Sequence, residues 1–297
     1  MRGRCDPDET PVFSNAQKEV TKAVSHDWQV QELAAAVDTN AVNEGADFSY
    51  VNPSATVRLS NTHQIAAQAA QVSNTLEAVD VAGRDRESAY VKILKSLEQR
   101  RDIEKSLFKN EAKSTSDPRK TAKFLSYMSN VVLESNSAVA SGGDGSNAAT
   151  MSGTNDALEL ADIEGAMKLA YEDGGQPDML VLSPANKVAF SNLSSGSVAT
   201  NQIQMTAPAE AAIVGSVSLF LTDFGTLNAV IDRNATDTEI LLLDSDYYAI
   251  GHLPNRMFSV SDVAPTGDTS RFAIISEYCL INRAPKAHAA VFDLNTS

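Results

Sequence analysis

The apolar residues of this chain recur with two different periods, one typical of helices and one typical of strands, and each period marks its own segments of the sequence. In the segment 84–112 they recur every three or four positions, which is the spacing of one face of a helix. This stripe contains Tyr90, Ile93, Leu94, Leu97 and Phe108, and Arg101 and Glu104 fall on the same side. A helix of that length extends about 43 Å at about 1.5 Å per residue. We therefore predict a spine helix that runs across the molecule.

The segment 26–72, before this helix, has few large side chains. Apolar residues occupy every second position in 56–71, as in a strand, while 43–55 is rich in Gly, Asp, Asn and Pro. Two extended flanks around such a turn predict a long hairpin. Because an isolated hairpin is marginally stable in water, we expect it to rest on another surface.

The remainder of the chain predicts a mixture of helices and strands. Further helices are predicted over 119–135, from Asn155 or Asp156 to Gly174–Gly175, and from Ser183–Pro184 onwards. Strands are predicted at 179–182, near 216–222, 226–232 and 239–243, and within 257–263, 270–285 and 288–294. Residues 1–24 lack a clear period and predict an extended arm, and 141–147 reads as a flexible loop. The fold class is therefore α+β, with at least two subdomains.

Charge is distributed unevenly along the chain. The net charge of −14 argues against a protein whose function is to bind nucleic acid tightly. Residues 84–123, however, hold 12 Lys/Arg and 7 Asp/Glu, a net charge of +5. This basic helix could meet an acidic neighbour such as another copy of the chain. Alternatively, its charges are solvated and paired along the same helix.

The sequence offers no recognisable catalytic or metal-binding pattern. The four histidines are isolated from one another, and there is no nucleophile elbow, dinucleotide fingerprint or phosphate-binding loop. Asp244, Ser245 and Asp246 begin like a calcium loop, but Ala249 and Asn255 stand where that loop needs Gly and Glu. We expect neither enzymatic activity nor a cofactor or metal. No apolar run reaches the roughly 18–20 residues that span a bilayer, so no membrane partner is expected.

Several segments together resemble a known family. They are "CDPDETPVFS" (5–14), "HDWQVQELAAA" (26–36), "TVRLSNTHQI" (56–65), "VSNTLEAVDVAGRDRESAYVKILKSLEQRRDIEKSLF" (72–108), "PDMLVLSPANK" (177–187) and "EYCLINRAPKAHAAVFDL" (277–294). In this order and spacing they resemble the major capsid proteins of tailed bacteriophages of the SU-ten type. The resemblance covers nearly the whole chain.

The resemblance implies the HK-ninety-seven-like fold, with its parts assigned as follows. The N-terminal arm is 1–25, the extended loop is 26–72, the axial domain is 120–253, and the peripheral domain comprises 73–119, with the spine helix 84–112, and 254–297. The candidate contact residues between subunits are Trp28, Glu44, Phe48, Tyr50, Arg58, Arg100 and Arg101.

The implied function is a self-assembling shell of hexamers and pentamers around a viral genome. Double-stranded DNA would touch its acidic interior weakly and without sequence preference. Scaffold, portal and cement or decoration proteins would be separate partners, and the protein would reside in the virion after assembly in the host cytoplasm. The alternative is an encapsulin-like compartment shell around an enzyme cargo. Some relatives crosslink their shells through a loop lysine, but no lysine lies between Lys22 and Lys92.

Overall fold

The computed structural model describes residues 10–48, 50–79, 86–134, 138–151, 156–196 and 219–295. The helices are α1 (Pro11–Asn15), α2 (Asn74–Ala78), α3 (Glu87–Leu107), α4 (Phe124–Tyr127), α5 (Leu160–Glu172) and α6 (Pro184–Gly196), with a short 3-10 helix at Pro285–Ala287. The strands are β1 (Gln17–Val20), β2 (Ser25–Val30), β3 (Val57–Thr62), β4 (Gln64–Ser73), β5 (Val131–Leu133), β6 (Asp156–Ala157), β7 (Met179–Leu182), β8 (Leu219–Thr222), β9 (Gly225–Ile231), β10 (Glu239–Leu243), β11 (Tyr248–His252), β12 (Ser259–Val263), β13 (Thr269–Asn282), β14 (Ala289–Phe292) and β15 (Leu294–Asn295). The predicted α+β class is confirmed.

One sheet is organised around the long strand β13. It has the order β1-β11-β13-β12, and β4 also pairs with β13 along ten residues. Helix α3 covers one face of this sheet. The buried Gln99 side chain fixes the contact by donating to the carbonyls of Ala66 (2.8 Å) and Ile274 (3.2 Å). The predicted spine helix therefore packs on a sheet.

A second sheet, of order β5-β14-β10-β7-β9-β8, forms the other half of the molecule. Its central strands β7 and β10 are buried along their whole length, which agrees with their continuous apolar sequences. Helices α5 and α6 pack against it through Ile163, Met167 and Phe190. The predicted strands in 179–243 and after 257 are confirmed within a few residues, except that residues 216–218 of the strand predicted near 216–222 lie outside the described part of the chain.

The spine helix differs from its prediction in its length and in the part of its apolar stripe that is buried. It begins at Glu87 and ends at Leu107 rather than at 112, so its 21 residues extend about 31 Å. Residues 84 and 85, its predicted first positions, lie outside the described part of the chain. The buried face carries Gln99, Ile103, Glu104 and Leu107, whereas Ile93 is 61% exposed. The predicted stripe is wrong at Ile93 because the buried residues of α3 all lie in its second half, from Gln99 onwards, whereas Ile93 lies in the first half.

Two further element predictions are wrong. The helix predicted over 119–135 is a single turn, α4, followed by the strand β5. All residues of 121–128 are buried, so this segment has no solvent face from which a helical period could arise. Helix α5 begins after Glu159, where Glu159 and Asp162 form a reciprocal capping box. The N-cap predicted at Asn155 or Asp156 is therefore wrong: residue 155 is outside the described residues and Asp156 lies in β6.

The hairpin predicted over 26–72 is shorter in the structure, because residues 64–72 pair with β13 instead. Strands β2 and β3 pair with each other from Ser25↔Thr62 to Val30↔Val57, whereas β4 turns away and pairs with β13. The described part of the predicted arm is likewise not free, because α1 buries Val12 and Phe13 in the main core and β1 pairs with β11.

Among the described residues, no helix combines the length and the apolar character needed to cross a bilayer.

Candidate functional site

The base of the β2–β3 hairpin is fixed by a buried asparagine. Asn61 donates to the carbonyls of Ala122 (3.1 Å) and Leu280 (2.6 Å), and its side-chain oxygen accepts the amide of Ala122 at 2.8 Å. Next to it, the buried His63 contacts the Thr21 hydroxyl at 2.7 Å. Since unsatisfied buried polar groups are costly, these bonds specify where the hairpin leaves the core.

Aromatic and charged contacts add to this anchorage. The Trp28 ring lies 6.0 Å from that of Tyr127, whose hydroxyl donates to the carbonyl of Ser60 at 3.0 Å. Lys113 donates to the same carbonyl at 3.1 Å. The hairpin therefore starts from a rigid base on its own subunit.

Beyond this base the hairpin has almost no support from its own chain. Every described residue from 31 to 58 is exposed. The large apolar side chains of this loop are among the most exposed in the molecule: Leu33 98%, Val42 69%, Phe48 71%, Tyr50 92% and Val51 87%. The polar contacts of the loop include an ion pair of Glu32 with Lys286 (2.9 Å), which raises the pKa of Lys286. Such a row of unburied apolar groups indicates a binding surface.

A second uncovered surface lies on the β13 sheet, on the face opposite α3. Directly paired residues of antiparallel strands share a face, which places Ala67 beside Ile275 and Ala69 beside Ala273. Ile65, Ala67 and Ala69 are exposed, while Ala273 and Ile275 are half-buried. We call these five residues the open sheet face. It is apolar and carries no charge at its centre, with Arg271 and Glu277 at its two ends.

The seven predicted contact residues do not all belong to one surface. Glu44, Phe48, Tyr50 and Arg58 are on the exposed loop, and Arg58 pairs with Asp27 across the hairpin. Trp28 packs within its own subunit. Arg100 reaches into its own amino-terminal region, where it donates to the Ser14 hydroxyl at 2.5 Å. Arg101 lies half-buried on α3.

The sequence does not single out the open sheet face, although Ile65, Ala67 and Ala69 fall in the period-two alternation of 56–71. Alanine is too small to show from sequence which phase is covered. Part of the positive charge of α3 is paired inside the chain, by Lys95 with Glu98 (2.6 Å) and Lys92 with Asp262 (3.5 Å). For these two lysines the pairing favours the alternative of solvated, internally partnered charges.

Two titratable side chains of the core, His288 and Cys279, have pKa values shifted by burial. Burial lowers the pKa of His288 to about 3 and raises the pKa of the free thiol Cys279 to about 12, so both stay uncharged near neutrality. Within the described ranges, no three His, Cys, Asp or Glu side chains are grouped so that they could hold a metal ion.

Comparisons with known proteins agree with this geometry. A family model described as SU10 major capsid protein matches residues 3–295. The major capsid protein of Escherichia phage Phieco32 is 33% identical over 108 residues, a match that spans 36% of this chain and 31% of that relative's length. Among solved structures, the capsid of cyanophage A-1(L) covers 96% of this chain and 93% of its own, with a TM-score of 0.65 and 12% identity.

The same fold also occurs outside phage heads. The holo-SrpI encapsulin complex from Synechococcus elongatus covers 97% of this chain and 89% of its own, with a TM-score of 0.59 and 13% identity. At such identities a structural likeness establishes the fold alone, and the HK-ninety-seven-like fold expected from the sequence is confirmed.

Proposed function

Because the chain belongs to the SU10 major capsid protein family, we propose that it is the shell-forming subunit of a tailed-phage head, arranged in hexamers and pentamers around the viral genome. The observation that carries this proposal is the unsupported loop on a rigid base. A closed shell repeats one contact many times, so each contact can be weak while the whole is durable.

The loop of one subunit would lie on the open sheet face of a neighbour. Both surfaces carry apolar side chains that are uncovered in the single chain. Residues ordered by a neighbour rather than by their own core lose conformational freedom only on assembly, where burial of apolar area offsets that loss. Phe48, Tyr50 and Val51 supply the largest apolar area for this contact.

The remaining partners follow from charge and from the family. A net charge of −14 per subunit would repel packaged double-stranded DNA, which keeps its contacts weak and independent of sequence. Scaffold, portal and cement or decoration proteins would be separate chains, and the shell would assemble in the host cytoplasm before it resides in the virion. We assign the protein no enzymatic activity.

Particle size and content test the proposal. Sedimentation or light scattering of virus-derived or co-expressed protein should show megadalton particles, because the exposed loop requires neighbours. Particles that contain double-stranded DNA support the phage head, whereas particles that enclose an enzyme support the encapsulin alternative. A protein that stays monomeric at high concentration under all conditions contradicts both.

The particles should also come apart into single chains. Since no lysine lies between Lys22 and Lys92, the loop has no amine for an isopeptide bond. Boiling in denaturant followed by a reducing gel should give one band near 31.7 kDa. A ladder of covalent multimers would mean that another residue supplies the nucleophile.

A further inference from the structure

The two ends of the open sheet face differ in how their charged side chains are paired. At one end, the buried Glu277 carboxylate accepts bonds from Arg119 at 2.9 Å and from Arg256 at 3.1 Å. At the other end, Arg271 is half-buried, and among the described residues its guanidinium has one hydrogen-bond partner, the Thr266 hydroxyl at 2.8 Å. Its Nε is buried without any partner in the described part of the chain. Since a guanidinium carries several N–H donors, the Arg271 end can bind a further acceptor.

Two carboxylates that lie close to Arg271 in the β12–β13 hairpin have other partners. Asp262 stands on the face that α3 covers, where it pairs with Lys92 at 3.5 Å. Asp268 accepts the side-chain amide of Asn74 at 2.6 Å. Within the described ranges, no carboxylate forms an ion pair with Arg271. Because a guanidinium binds a carboxylate through parallel N–H bonds, Arg271 is placed to receive one from outside its own subunit.

The exposed loop supplies carboxylates and no competing cations. No Lys or Arg lies between Lys22 and Arg58. Glu44 and Asp47 are both exposed, and neither forms an ion pair with another described residue. We call these two residues the acidic tip. Asp47 is followed at once by Phe48, the first of the exposed apolar groups on that side of the loop, so the tip offers negative charge next to apolar area.

We propose that the acidic tip of one subunit forms an ion pair with Arg271 of a neighbouring copy, and that this pair fixes the direction in which the loop lies on the open sheet face. The pairing rests on the proposed function, because it takes the loop to lie on that face. The reverse direction would bring the acidic tip to Glu277, whose two arginines already share a carboxylate. The tip gains less there than at Arg271, which has none.

The spacing of the two surfaces agrees with this direction. Asp47 and Val51 are four positions apart in the loop, and Arg271 and Ile275 are four positions apart in β13. Extended chain covers about 3.3–3.6 Å per residue, and a strand rises about 3.4 Å per residue. With Asp47 at Arg271, the loop from Phe48 onwards therefore reaches along the face as far as Ile275, where the exposed apolar groups meet its apolar centre.

Charge reversal in the loop tests the pairing in assembly reactions of the full chain, with closed shells counted by electron microscopy at matched concentration. Glu44→Lys together with Asp47→Lys places two lysines opposite Arg271. The yield of closed shells should fall at least about tenfold, since like charges at a contact oppose association. Both positions are exposed, so this loop variant should melt like the parent, and its result does not require any variant of Arg271 to fold.

Reversal on the other side should restore the shells. Arg271→Glu alone should assemble as poorly as the loop variant. Combined with the loop variant it should bring the yield to within about twofold of the parent, because opposite charges again face each other. Lys22→Glu is the matched control: it is exposed and changes the net charge by the same amount as Arg271→Glu. Alone it should assemble normally, and in the loop variant it should restore nothing.

The outcomes separate this pairing from the proposed function. The pairing is overturned if the loop variant assembles like the parent while Ala69→Lys, at the centre of the open sheet face, does not; the contact between loop and face then stands without it. It is equally overturned if Lys22→Glu restores the loop variant as well as Arg271→Glu does. A parent chain that never assembles contradicts the proposed function itself, and the pairing with it.

Discussion

Replacing residues 42–54 by a short Gly/Ser turn should leave the dissociated subunit folded and yet abolish closed shells. The exchanged side chains include Phe48, Tyr50 and Val51, which are exposed in the single chain. Substitutions at exposed sites usually change the free energy of unfolding by no more than about 0.5 kcal/mol. The melting temperature of the subunit should therefore stay within a few degrees of the parent.

Two measurements decide this prediction together. Circular-dichroism melting follows the dissociated subunits, and electron microscopy follows assembly reactions at matched concentration. Normal shells from the shortened chain would show that the loop is dispensable for assembly. A collapsed melting curve before any assembly would show instead that the loop serves its own core.

A substitution on the open sheet face tests the same contact from the other side. Ala69→Lys places a charge at the centre of the open sheet face, where the parent side chain is exposed. If a neighbour's loop lies there, the variant should melt like the parent and fail to close shells, because a lysine buried at that contact loses water without a partner. Lys22→Ala, another exposed position, is the control that should assemble normally. Normal shells from Ala69→Lys would place the contact elsewhere.

Much of the fold could be predicted in segments whose residues all share one environment, either buried or exposed. Strands β7 and β10 are buried on both faces and read as unbroken apolar runs. Helix α6 begins at Pro184, as the Ser-Pro pair indicates. The exposed loop was predictable as well, because its turn-rich sequence offers too few apolar groups for a core.

The segment 121–128 could not be predicted because its polar residues are satisfied by distant partners. Lys123 is fully buried, and its amine donates to Gln64 at 2.9 Å while burial lowers its pKa to about 7. A sequence shows a lysine there and suggests a solvent face. Glu104 falls on the apolar side of the predicted helix, but its partners could not be predicted, since the amides that it caps lie about ninety positions earlier in the chain. The open sheet face likewise depends on the pairing of strand β4 with strand β13, which no local sequence pattern specifies.

Leu97→Pro should unfold the subunit, in contrast to the loop replacement. Position 97 lies in the middle of α3, which spans one face of the β13 sheet. Proline removes the amide bond to the residue four positions earlier and its ring clashes with that carbonyl, at a cost of about 3 kcal/mol or more. The Gln99 side chain would shift as well, and its bonds to the carbonyls of Ala66 and Ile274 would be lost. Native proteins are stable by about 5–15 kcal/mol, so the sum removes most of the margin.

Ile93→Ala is the matched control in the same helix. Ile93 is 61% exposed, and alanine is a better helix former than isoleucine, so the variant should melt within a few degrees of the parent. Melting of both variants, followed by circular dichroism at equal concentration, provides the measurement. A cooperative transition in Leu97→Pro close to that of Ile93→Ala would contradict the role of α3 as the brace of the subunit. If instead Leu97→Pro is unfolded while the loop-shortened chain melts normally, the spine helix and the loop have separate roles: α3 holds the subunit together, and the loop serves the assembly.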